Sequence, residues 1–149
     1  MTHRHPLLKV KRLRPQALLP LQATRGSSGF DLFACIEESG SLDLSCDPQL
    51  VPTGIAIEFP TGFDATIRPR SGLGARGVNV VLGTIDSDYR GELLVSMYLF
   101  GSRAEYRIHN GDRIAQLVVS RLAEVTLCEV EELSETARGS GGHGSTGPR

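Results

Sequence analysis

The stretch Gly54-Ile55-Ala56-Ile57-Glu58-Phe59-Pro60-Thr61-Gly62-Phe63-Asp64-Ala65-Thr66-Ile67-Arg68 reads as two strands around a turn. Its first half is apolar and ends at Pro60-Thr61-Gly62, a turn signal. In its second half Phe63, Ala65 and Ile67 alternate with Asp64, Thr66 and Arg68, the period of a half-buried strand. Outward from this pair the same pattern recurs. Residues 8–13 partly alternate apolar and basic side chains, residues 77–82 are β-branched, and residues 91–100 form a long strand that turns at Gly101-Ser102. Tyr106 with Ile108 and residues 114–119 add two more, and residues 123–130 are a candidate last strand. No window of about 11 residues keeps a 3.6-residue period, so long helices are not expected. One short helical turn fits within residues 72–77. Many short strands between turns predict an all-β sandwich, barrel or jelly roll.

Composition agrees. Glycine (17) and proline (8) together exceed the roughly 12% of an average chain, as turn-rich β proteins require. A chain of 149 residues predicts one domain, large enough to bury a core without staples. The formal net charge of -1 and the absence of tryptophan argue against a nucleic-acid platform. No apolar run approaches the roughly 18 residues of a membrane span. Three cysteines, Cys35, Cys46 and Cys128, are an odd number without a CxxC pair, which argues against a disulfide framework or a cysteine zinc site. With no secretory signal visible, a cytoplasmic protein is expected. Every acid lies at or after Asp31, so the N-terminal stretch is basic: a solvated face or a phosphate-binding arm.

Four segments carry candidate chemistry. In Ser28-Gly29-Phe30-Asp31 a carboxylate beside glycine suits a ligand, a metal-bound water or an Asx-turn. In Arg68-Pro69-Arg70-Ser71-Gly72-Leu73-Gly74-Ala75-Arg76 a planar guanidinium, a hydroxyl and close-approaching amides suit an anion, or a polar loop with a serine N-cap. Gly83-Thr84-Ile85-Asp86-Ser87-Asp88-Tyr89-Arg90-Gly91 puts two carboxylates at i and i+2, as a general base or as turn chemistry. In Gly111-Asp112-Arg113-Ile114-Ala115-Gln116-Leu117-Val118, Gln116 is polar inside an apolar run, so it needs a buried partner or a ligand. Asp112 and Arg113 are expected to pair at the surface. The tail, residues 138–149, holds five glycines and cannot anchor itself. It reads as a flexible end or as an anion clasp that closes on a ligand.

Taken together, SGFDLFA (28–34), PRSGLGARG (69–77), GTIDSDYRGE (83–92), GDRIAQLV (111–118) and RGSGGHGSTG (138–147) resemble the trimeric dUTP diphosphatases (dUTPases), in that family's order. The resemblance implies a jelly-roll-like β-barrel over residues 1–137, with a flexible tail, 138–149, closing over the active site. It implies a homotrimer with shared sites that converts dUTP and water to dUMP and pyrophosphate with Mg²⁺, lowering dUTP and supplying dUMP for thymidylate synthesis. By position, Asp86 would deprotonate the attacking water, and Tyr89 would pack under the deoxyribose and exclude a 2′-hydroxyl. Arg70, Ser71 and Gly72 would hold phosphates, Gln116 would join the α-phosphate network, and Asp31 would accept from water on Mg²⁺. Arg138, Ser145 and Thr146 would close on the γ-phosphate with His143 over uracil, a position where many members carry Phe. The hairpin with Asn79, Val80, Thr84 and Ile85 would read uracil mainly through backbone groups, with Leu94 beside it. Many members have Asn where this chain has Val80, so either Asn79 or Val80 faces the base. The dCTP deaminases share the barrel, but GTIDSDYRG followed by this tail matches the diphosphatase form. A silent jelly-roll binding module would lack Asp86 or the tail.

Overall fold

A computed structural model describes residues 5–37, 40–101 and 105–142. The alternation read at its centre is realised in β6 (Phe63–Arg68), where Ala65 and Ile67 are buried and Arg68 is wet. Around it lie β1 (Lys9–Arg12), β2 (Phe30–Phe33), β3 (Ser41–Leu44), β4 (Gln49–Pro52), β5 (Ile55–Glu58), β7 (Val78–Val80), β8 (Gly83–Ile85), β9 (Leu94–Leu99), β10 (Tyr106–His109) and β11 (Arg113–Arg121). A single helical turn, α1 (Ser71–Gly74), buries Leu73; it starts one residue before the expected 72–77 and ends at Gly74.

Every pairing is antiparallel. The largest sheet has the order β2-β11-β6-β8, and three smaller ones pair β4-β9-β7, β1-β5 and β10-β3. Non-consecutive strands sit side by side throughout, as in a jelly roll. The sheets enclose one core, in which Leu32, Val51, Val78, Val95, Met97 and Leu117 are fully buried. β9 shows why its sequence becomes a strand: Val95, Met97 and Leu99 point inward, while Leu94 lies on the outer face. The fold is a single-domain, jelly-roll-like all-β barrel.

Two expectations change. The strand expected over residues 91–100 begins only at Leu94 and ends at Leu99, because Glu92 and Leu93 are bound to Thr53, Gly54 and Ile55 at the entry to β5. Residues 123–130 form no strand, although Val125 and Leu127 alternate with polar neighbours. A strand needs a paired edge for its backbone groups, and the arm has left the barrel: Val125 is 87% exposed and Leu127 93%.

Gly54 turns the chain into β5 at φ +68°, a left-handed conformation that favours glycine. A Cβ there would sit 2.6 Å from Cys35 Sγ and 2.8 Å from Ala17 Cβ, both in the core. Replacing Gly54 with alanine adds backbone strain and overpacking, so it should cost about 2–5 kcal/mol. Urea denaturation checks this as a lower midpoint with an unchanged slope.

Candidate functional site

The four-stranded sheet sets the positions of the first group. Gln116 on β11 lies opposite Asp31 on β2 and opposite Arg68 on β6. Its Nε2–H donates to the Pro69 carbonyl at 2.9 Å, which is the partner that a polar residue in this apolar run requires. Gly29 lets the chain entering β2 lie against β11, since a Cβ there would be 2.8 Å from the Leu117 carbonyl oxygen. The glycine of this segment therefore serves close packing, and it delivers Asp31 beside Gln116.

Asp31 is held between two guanidiniums. Arg70 Nε–H donates to its Oδ1 at 3.1 Å, and Arg113 Nη1 stands 3.5 Å from its Oδ2. Arg70 also donates from Nη1 to the Arg113 carbonyl at 3.2 Å. The Asp31 side chain is only 12% exposed, whereas Arg113 remains 47% exposed and lies over the Phe33 ring. The expected surface pair of Asp112 with Arg113 is not formed. Asp112 Oδ2 accepts from the His109 backbone N–H at 2.8 Å instead, leaving Arg113 to Asp31. Arg113 is thus a site residue that local reading missed, because its partner is set by strand pairing with β2. Arg70, Arg76 and Arg113 line one cavity of about 290 Å³, with Gly72 in its wall. The three arginines of this cavity outnumber its one carboxylate, Asp112, which leaves this end positive and suited to an anion. Ser71 is exposed, and α1 has no side-chain cap, so the serine N-cap reading does not hold.

The second group lies in the turn between β8 and β9. The Asp86 carbonyl accepts from the Tyr89 N–H at 3.1 Å, and Arg90 Nη1 donates to the Ser87 and Tyr89 carbonyls at 2.7 and 2.9 Å. The folded turn places Thr84, Ile85, Asp86, Tyr89, Glu92 and Leu94 around a cavity of about 200 Å³. Asp86 faces this cavity and Asp88 is not part of its lining, a distinction that their i, i+2 spacing alone could not make. Tyr89 and Leu94, 44% and 40% exposed, present apolar surface to it. Val80 is in the core, and Asn79 Nδ2–H donates to Tyr98 Oη at 2.9 Å while its Oδ1 accepts from the Val80 N–H. Neither side chain lines the cavity.

The two groups stand at opposite ends of β6. Ala65 pairs with Ile85, so Asp86 falls level with Asp64. Arg70 lies beyond the other end of the strand, still in extended conformation. At about 3.3 Å per residue, the six residues from Asp64 to Arg70 span roughly 20 Å. Among the described residues no group of three His, Cys, Asp or Glu could hold a metal directly, and no helix is long and apolar enough to cross a membrane. Asp31 retains acceptor capacity, because a carboxylate offers about four lone-pair sites. That donor set fits a hard cation held through water rather than one caged by protein oxygens. Arg138 lies outside both cavities, its Nε–H donating to the Gly141 carbonyl at 2.8 Å. His143, Ser145 and Thr146 lie outside the described residues.

Residues 16–147 match the dUTPase family. The deoxyuridine 5'-triphosphate nucleotidohydrolase of Neorickettsia sennetsu is 50% identical, covering 87% of each chain. That of Wolinella succinogenes is 47% identical, covering 94% of this chain and 93% of its own. Among solved structures, the Staphylococcus bacteriophage 80alpha dUTPase with dUPNHPP superposes with a TM-score of 0.83 at 26% identity, covering 95% of this chain and 98% of that one. A dUTPase variant from phage phi11 of S. aureus shares the fold at a TM-score of 0.74, 24% identity and 85% and 97% coverage; its structure concerns a coordinated structural Mg(II) ion.

Proposed function

Because this chain belongs to the dUTPase family, we propose that it hydrolyses dUTP to dUMP and pyrophosphate, lowering dUTP and supplying dUMP for thymidylate synthesis. The observation that carries this reading is the placement of Asp86 in one cavity with Tyr89 and Leu94. A base and sugar resting on Tyr89 and Leu94 bring the α-phosphate toward a carboxylate free to act on water. Asp86 takes the proton, the water oxygen bonds to the α-phosphorus, and the bond to the β-phosphate's bridging oxygen breaks. Such transfer rests on positioning and charge stabilisation. Arg70, Ser71 and Gly72 supply these at the phosphates, with Arg113 adding charge beside them. Gln116, fixed on the Pro69 carbonyl, orients groups around the α-phosphate. Mg²⁺ bound to the triphosphate would offset its negative charge, and Asp31 would accept hydrogen bonds from the water around it. The main chain of residues 79, 80, 84 and 85 recognises uracil. Arg138, His143, Ser145 and Thr146 close over the bound nucleotide, and the enzyme works in the cytoplasm without nucleic-acid or membrane partners.

The active unit is a homotrimer with shared sites. About 20 Å of strand lies between Asp86 and Arg70 in one chain, more than one triphosphate spans, so a neighbour supplies the missing half. The arm after β11 supports this assembly. It exposes Val125, Leu127 and Leu133 and carries Glu124, Glu129, Glu131 and Glu132. The strand β1, with Lys9, Lys11 and Arg12, pairs on one side only with β5 among the described residues, leaving an edge of opposite charge.

Pyrophosphate release from dUTP, dTTP, dCTP and UTP tests the reading. dUTP should be preferred strongly, because a slot built to pair with uracil leaves donors and acceptors unmatched with a 4-amino base. Equal kcat/KM for all four would contradict it. Asp86→Asn should retain nucleotide binding and lose about 10²–10⁴ in kcat, the usual worth of a general base. Asp88→Asn, outside the cavity lining, should lose far less. Steady-state kinetics with calorimetric binding of a non-hydrolysable analogue separates the two aspartates, and a dead Asp88→Asn would reverse their roles.

A further inference from the structure

The tyrosine of the β8–β9 turn is held in a built seat. Tyr89 Oη–H donates to the Glu92 carbonyl at 3.1 Å, and the ring folds back over Gly91. A Cβ on Gly91 would fall on the Tyr89 hydroxyl and stand 2.5 Å from Cζ and 3.0 Å from Cε2. The ring can adopt this tilt only because residue 91 has no side chain. The carbonyl that latches it is fixed from behind. Glu92 Oε1 accepts from the Gly54 N–H at 2.8 Å, and Oε2 accepts from Arg14 Nη2–H at 3.0 Å. Arg14 is tied in turn to the Cys35 carbonyl through Nη1 at 3.0 Å. Leu93, next in the chain, donates to the Ile55 carbonyl at 2.9 Å, and its own carbonyl takes the buried Thr53 hydroxyl at 2.7 Å. Tyr89 is 44% exposed, yet its angle is set by atoms that reach into the core.

We propose that Gly91 and Glu92 are specificity-determining positioning residues: together they fix the Tyr89 ring at the angle that closes the space a 2′-hydroxyl would occupy. This rests on the reading of Tyr89 as the surface beneath the deoxyribose. Neither residue needs to touch the sugar. Gly91 admits the ring, the Glu92 carbonyl latches its hydroxyl, and the Glu92 carboxylate ties the latch to Gly54 and Arg14. Discrimination by exclusion depends on small displacements, since a misplacement of about 1 Å can change a rate by about 10²-fold.

The test compares kcat/KM for dUTP and UTP in wild type, Gly91→Ala and Tyr89→Phe. In Gly91→Ala the displaced atoms are the far end of an exposed side chain, so the fold is kept. The dUTP-to-UTP ratio should fall by about fivefold or more, within the range one methyl group can shift specificity. Tyr89→Phe keeps the ring and deletes the latch. It should lower the ratio in the same direction by a smaller factor, and it stands as the test should Gly91→Ala prove unstable. A purely structural role for Gly91 would lower the thermal midpoint and leave the ratio alone. A wild type that prefers dUTP over UTP, with the ratio unaltered in Gly91→Ala, overturns the seat while the reading of Tyr89 stands. A wild type that hydrolyses both sugars equally overturns the role of Tyr89, and the seat with it.

Discussion

The pairing of β6 with β11 on one side and β8 on the other fixes where every site residue of the barrel can stand. Antiparallel register ties Gln116 to Arg68 and Ile85 to Ala65. A slip of one residue would turn each side chain to the opposite face. The buried Ala65, Ile67 and Leu117 forbid that slip, because it would put Asp64, Thr66 and Arg68 into the core. Core packing thus determines site geometry: Arg70 and Asp86 stand near opposite ends of β6, and this separation favours assembly.

At the arginine-rich end the chain's own side chains arrange the charge. Asp31 sits between Arg70 and Arg113, so these guanidiniums are oriented by a carboxylate that is itself largely withdrawn from water. Both guanidiniums remain partly exposed and the Arg113 contact is as long as 3.5 Å, so their contribution to stability is small. Their value lies in preorganisation, since donors already aimed need not be ordered when a phosphate arrives. At the other end, order comes from packing and neutral hydrogen bonds. Tyr89 rests on Gly91 and on a carbonyl that Glu92, Gly54 and Arg14 hold in place.

Much of this was legible in the sequence, and the exceptions have physical causes. β6 and β9 show an alternation long enough to read. β2, β3, β4 and β8 escaped because three or four residues beside Gly29, Gly40, Asp47-Pro48 and Gly83 offer too short a pattern among turn signals. Asp31, Arg70, Asp86 and Gln116 stood out as chemistry in unusual places. Arg113 did not, since its role depends on a carboxylate 82 positions earlier, brought alongside only by strand pairing. Glu92 carried no signal beyond its place in GTIDSDYRGE, because its partners, Gly54 and Arg14, lie far away in the sequence. Residues 123–130 carry a strand's alternation but pair with no strand among the described residues, so the pattern alone misleads.

The central claim is that one active site takes its anion-binding half and its Asp86 half from different copies of the chain. Mixing inactive variants measures this directly. Arg70→Ala and Asp86→Asn are each purified, shown to be inactive, co-refolded in equal amounts and assayed for pyrophosphate release from dUTP. If sites are shared, random assembly leaves about a quarter of them with both residues intact, and the mixture regains roughly that share of wild-type activity. A mixture as inactive as its parents, with assembly confirmed by sedimentation, would show that each chain builds its site alone and would contradict the account.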